Sequence, residues 1–106
     1  MNEVEIKTVV QNTINEMLRN SMIKYSDVII YETISERLKE HFIKPDIDIA
    51  YALEQIKDNY YYSVISDYYK DNMTLEQIAE EYDVEVSTIV RNKKALCMKI
   101  FEIINQ

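Results

Sequence analysis

Near the start of the chain Ile6, Val10, Ile14, Met17 and Leu18 recur at steps of three and four, with Val9 and Thr13 beside them. That is the period of one helix face, and it predicts a helix over residues 4–20. Glu3 and Glu5 suit the positive end of its dipole and Arg19 the negative end. A break is expected over residues 20–25. The next stripe is Ile30, Ile34 and Leu38, with Tyr31 and Phe42 adjoining, and it predicts a helix capped by Ser26 or Asp27 and running to Ile43. Pro45 disfavours helix at Lys44 and marks the clearest boundary in the chain.

Beyond the proline, Asp46 and Asp48 compete as N-caps for a helix carrying Ile49, Leu53 and Ile56, with Tyr60 a possible extension of the stripe. Asp58 or Asn59 is the place for an interruption before the stripe of Tyr61, Val64, Ile65, Tyr68 and Tyr69, which reaches Lys70 or Asp71. Whether these are one helix or two is left open by the pattern. Asn72 then stands where a helix end wants a residue tolerant of the left-handed region. Thr74 with Gln77 three residues on is a capping box, so a short helix begins at Leu75 and turns Leu75, Ile78, Ala79 and Tyr82 inward. Asp83-Val84 gives a tight bend followed by an apolar plug. The last helix spans residues 86–104, with Val86, Ile89, Val90, Cys97, Ile100 and Ile104 on the core face and Leu96, Phe101 and Ile103 widening it.

The pattern is all-α, a bundle of five to six helices ending in a helix-turn-helix. Zero Gly and a single Pro in 106 residues agree, since strand turns and long loops lean on both. Residues 1–44 form an N-terminal helical pair and residues 45–106 the helix-turn-helix region. A two-helix hairpin buries too little by itself, so one bundle is favoured. The N-terminal pair is acidic and suits dimerisation or contact with a partner protein. No run of 18 apolar residues exists, and the charges scattered over Met1 to Arg19 do not resemble a leader, so the expectation is a cytoplasmic protein with no membrane partner.

Charge sharpens the picture. Residues 1–86 carry 8 Lys and Arg against 18 Asp and Glu, whereas residues 87–106 carry Arg91, Lys93, Lys94 and Lys99 against Glu102 alone. An acidic body therefore ends in a basic helix, within a net charge of −7. At 100° per residue the last helix turns Ser87, Thr88, Arg91, Asn92, Lys94 and Ala95 away from the core. These are residue types that a major-groove helix uses: hydroxyls for phosphates or base edges, Arg for guanine, Asn for adenine. Lys93, Lys94 and Lys99 suit the phosphate backbone. The five tyrosines Tyr60, Tyr61, Tyr62, Tyr68 and Tyr69 read better as core and rim than as a base-stacking platform, because Asp58, Asp67 and Asp71 surround them. Catalysis is not expected: no carboxylate pairs with His, Cys or a Gly-rich loop at a useful spacing. With one His and one Cys, no metal site or cofactor is expected either.

The segment over residues 61–100 resembles the helix-turn-helix of sigma-factor region four and of small regulators built on it, including phage late-transcription regulators of the ArpU kind. The residues that carry the resemblance are Val64-Ile65, Tyr68-Tyr69 and then MTLEQIAEEYDVEVSTIVRNKKAL. The family pattern there is T-L-x-E-I-A-x-x-L-G-V-S-x-S-T-V, followed by basic residues and A-L. Thr74, Leu75, Ile78, Ala79, Val84, Ser87, Thr88, Ala95 and Leu96 fit it. Asp83 stands in place of Gly, Glu85 in place of the capping Ser or Thr, and Gln77 in place of an acid.

The function expected is a sequence-specific, non-catalytic transcription regulator that binds double-stranded DNA, with RNA polymerase and a second copy of the chain as candidate partners. Ser87, Thr88, Arg91 and Asn92 would contact bases or nearby phosphates, and Lys93, Lys94 and Lys99 the backbone. Two alternatives share the motif: a protein–protein adaptor for polymerase or sigma factor, and the DNA-recognition subunit of a phage packaging machine.

Overall fold

A computed structural model describes residues 23–106, with side chains from Asp27 onward. The helix expected over residues 4–20 lies outside this range. The described residues form five helices and no strand: α1 Ile23–His41, α2 Ile47–Gln55, α3 Ser63–Tyr69, α4 Leu75–Tyr82 and α5 Val86–Ile104.

In α1 the stripe Ile30, Ile34 and Leu38 is fully buried, one residue per turn of helix. The helix starts three residues before the expected cap at Ser26. It stops two residues before Ile43, because Ile43 and Lys44 both return their N–H groups to the Glu40 carbonyl in a closing turn ahead of Pro45. Asp46 wins the competition to cap α2: its carboxylate accepts from the backbone N–H groups of Asp48 and Ile49. The same carboxylate accepts from Arg37 of α1 at 2.9 Å, and the Asp46 N–H donates to His41 Nδ1. Pro45 is therefore a corner stapled by polar contacts on both sides.

α2 and α3 are separate helices, joined by a run of turns from Ile56 to Tyr62. Asn59 organises it, its Oδ1 accepting from the Tyr61 N–H at 2.8 Å. Tyr60 is exposed and extends no stripe; its carbonyl accepts from the Tyr82 hydroxyl of α4.

Two groups of buried side chains hold the helices together. The larger joins Ile30, Ile34 and Leu38 of α1 to Ile49, Ala52 and Leu53 of α2 and to Leu96, Cys97, Ile100 and Phe101 of α5. The smaller joins Val64 of α3, Ile78 and Ala79 of α4 and Ile89 of α5, with Met73 and Val84 packed at its edge. Tyr61 and Tyr68 touch both. Each fully buried Ile contributes about 1.5–3 kcal/mol. Because α1 shares its core with α2 and α5, the boundary at Pro45 divides helices within one packed body.

α5 contributes to both groups and is the axis of the fold. No helix among the described residues is long and apolar enough to cross a membrane.

Candidate nucleic-acid interface

The local sequence sets how α5 is presented. Thr74 Oγ1 accepts from the Gln77 N–H at 3.1 Å while Gln77 Oε1 accepts from the Thr74 N–H at 2.9 Å, so the capping box starts α4 at Leu75. Eight residues later Asp83 adopts the left-handed region, φ 56° and ψ 47°. Its N–H returns to Glu80 O, and the Val84 N–H to Ala79 O, which satisfies two of the last carbonyls of α4. Val84 then packs on the Ile78 and Ile89 group and fixes the direction in which α5 departs. Asn72 plays the same part after α3, with φ 54° and the Met73 N–H bonded to Asp67 O at 2.9 Å. In a chain without Gly, Asp and Asn supply both reversals.

The seven expected contact residues divide into three groups. Ser87, Arg91 and Lys94 are exposed and follow one another along a single stripe of α5, at steps of four and three. Neither Arg91 nor Lys94 is held in an ion pair among the described residues. Thr88 and Asn92 are half-buried on the adjoining flank, where Asn92 Nδ2 donates to the Thr88 carbonyl at 2.8 Å. Asn92 and Lys99 line an open groove of about 430 Å³ against Gln55, Asp58 and Asn59, between the end of α2 and α5. Lys99 is exposed, 3.5 Å from Glu102.

Lys93 departs from the expectation. It is only 5% exposed. Its ammonium donates to the Tyr31 hydroxyl of α1 and lies 4.1 Å from the centre of the Tyr68 ring and 5.3 Å from that of Tyr69. A cation so enclosed holds helices together and is not presented to a phosphate. The signal was in the pattern: Lys93 is four residues from both Ile89 and Cys97, on the core stripe. Val90 departs in the other direction, 45% exposed where the stripe placed it inward.

Beneath this cation the Tyr69 hydroxyl is 2.6 Å from Ser35 Oγ and 3.9 Å from Cys97 Sγ. Burial pushes both the Tyr69 hydroxyl and the Cys97 thiol up from their ordinary pKa values, so both stay protonated near neutral pH. Neither touches an open cavity among those that line α5.

Acidic groups border the basic stripe. Glu76, Glu80, Glu81, Asp83 and Glu85 are all exposed, and Glu85 caps α5 by backbone position alone, its side chain making no cap hydrogen bond. Among the described residues no group of three or more His, Cys, Asp or Glu is arranged to hold a metal ion. No family model, no curated protein and no solved structure matches the chain.

Proposed function

We propose that the chain is a sequence-specific, non-catalytic DNA-binding transcription regulator in which α4, the Asp83 turn and α5 work as a helix-turn-helix. The observation that carries this reading is the exposed stripe of Ser87, Arg91 and Lys94 at the start of α5, free of ion pairs among the described residues and following a short capped helix and a left-handed turn. The resemblance to sigma-factor region four runs through the same residues. Arg91 has the fork for a guanine edge and Ser87 the hydroxyl for a base edge or phosphate. Lys94 serves the backbone, and Lys99 joins it at the cost of its weak contact with Glu102. Thr88 and Asn92 stand at the rim, facing the α2 end. Lys93 takes no part in contact.

So few exposed cations give a shallow electrostatic pull for a single chain, and the acidic remainder opposes it. A second copy or RNA polymerase therefore belongs to the proposal as the means of raising affinity. Exposed Glu76, Glu80, Glu81 and Glu85 favour a second reading, a protein–protein adaptor that uses the same surface without DNA.

A titration of duplex DNA with the purified chain at increasing salt separates the two. The regulator shows log affinity falling with log salt by about 0.9 for each phosphate neutralised, and the adaptor shows no binding to titrate. On a duplex selected from a random pool, Arg91→Ala is expected to cost about 1–3 kcal/mol, with little loss on random DNA. Equal losses on both would reduce Arg91 to a phosphate contact.

A further inference from the structure

Val90 is the one residue of the exposed α5 surface whose chemistry the basic stripe does not explain. Among the described residues the other exposed large apolar side chains are Val28, Ile29, Ile43, Ile47, Tyr51 and Tyr60, none of them on α5. Val90 stands alone there, beside Arg91, three residues after Ser87 and four before Lys94, all exposed. An apolar group in the middle of a charged contact surface needs an apolar counterpart on whatever docks. Arg91 and Lys94 make that surface positive, so the fitting occupant is a polyanion that exposes methyl groups.

Duplex DNA has one such group on its major-groove edge, the 5-methyl of thymine. The β-branched side chain of Val90 suits the contact, since its χ1 is fixed by the helix and its methyls are held in place with little further loss of freedom on binding. Resting on the regulator reading, we infer that Val90 is a specificity-determining residue that packs on a thymine methyl beside the guanine read by Arg91. The recognised sequence then contains a thymine within one or two base steps of that guanine. A cytosine or an unmethylated uracil at this place offers no methyl to bury.

The test uses the full chain and a duplex enriched from a random pool. Each thymine of the enriched site is replaced in turn by deoxyuridine, which removes the 5-methyl and nothing else. At one position next to the guanine on which Arg91→Ala acts, the replacement is expected to weaken binding about fourfold, the effect of one buried methyl. With Val90→Ala the same replacement is expected to have no further effect. Val90 is exposed, so this variant should keep the helix signal and thermal midpoint of the parent, and the deoxyuridine arm needs no variant at all. If no thymine responds, or if Val90→Ala leaves the response unchanged, the inference is overturned while site-specific binding stands. If no duplex is enriched, the regulator reading itself fails and the inference falls with it.

Discussion

The Lys93 ammonium on α5 donates a hydrogen bond to the Tyr31 hydroxyl on α1 while resting 4.1 Å from the Tyr68 ring on α3, so one buried cation ties three helices together. No carboxylate lies within ion-pair distance of it among the described residues, and the Tyr31 oxygen is its hydrogen-bond acceptor there. Tyr31→Phe removes that acceptor and leaves the cation short of a partner, an expected loss of about 1–3 kcal/mol in urea unfolding. Lys93→Met keeps the apolar stem and removes the charge. In the double variant the two losses should fall short of their sum by about 1 kcal/mol, and simple additivity would mean that the bond contributes nothing.

Adjacent lysines should behave differently towards DNA. Lys94→Ala is expected to make the dependence of log affinity on log salt shallower by about 0.9, the release of one phosphate's counterion. Lys93→Met is expected to leave that slope unchanged, because its ammonium is enclosed by tyrosines. Salt titrations of the two variants beside the parent decide it. A shallower slope for Lys93→Met would contradict the placement of that side chain.

Asp46 predicts an acid-sensitive corner. Burial works against its carboxylate. The Arg37 guanidinium at 2.9 Å and the N–H groups of Ile49 and Asp48 outweigh this and hold its pKa below the usual 3.8. A depressed carboxylate contributes stability that is complete above its unfolded pKa and is lost as pH falls through the folded value. Asp46→Asn keeps a capping oxygen but drops the charge, so it should cost about 1 kcal/mol at pH 7. The gap between variant and parent is expected to close as urea unfolding is repeated below about pH 4. A constant gap down to pH 2 would assign the loss to packing.

Much of this architecture is local and could be read from local signals. The capping box at Thr74, the left-handed residues Asn72 and Asp83, and the span of α5 all depend on residues within a few positions of one another, and the structure has them where the sequence places them. What failed depends on distant partners. Lys93 was assigned to the surface by its charge, although its spacing from Ile89 and Cys97 pointed inward; the tyrosine that accepts it is 62 residues away. Val90 was assigned inward by its apolar character, although it sits at the edge of the stripe. The division at Pro45 misjudged how α1 is used, because a proline marks the end of a helix and says nothing about which core that helix joins. For the candidate interface, Ser87, Arg91 and Lys94 were legible from the helical period, whereas the half-burial of Thr88 and Asn92 depends on the end of α2 packing nearby.

Cys97 should be silent to thiol reagents in the folded chain. It is fully buried, and burial raises its pKa against the smaller opposing influence of the Tyr69 hydroxyl and the Lys93 ammonium. A raised pKa leaves less thiolate at pH 7–8, and the enclosed sulfur leaves no approach for the reagent. Labelling by a coloured disulfide is therefore expected to follow opening of the fold, becoming faster in urea in step with loss of helix. Rapid labelling in buffer alone would contradict the packing of α5 on α1.

Glu85 offers a substitution that separates stability from DNA affinity. At the N-cap of α5 its side chain bonds to no backbone N–H, although an acid there still gains from the positive end of the helix. Glu85→Ser supplies the missing acceptor, worth about 1 kcal/mol, and gives up a charge–dipole interaction of about 0.3–1 kcal/mol. The net gain in thermal stability should be small, about 0.5 kcal/mol. Affinity for duplex DNA should respond more, because the carboxylate stands two residues before Ser87 and repels the phosphates that Lys94 attracts. Glu85→Gln removes the same charge without adding the cap. Under the regulator reading both variants bind DNA more tightly at low salt, with the advantage fading as salt screens the lost repulsion, while only Glu85→Ser is the more stable protein. If neither variant gains affinity at low salt, α5 does not approach a phosphate backbone by its N-terminal end, and the adaptor reading gains the ground that the regulator loses.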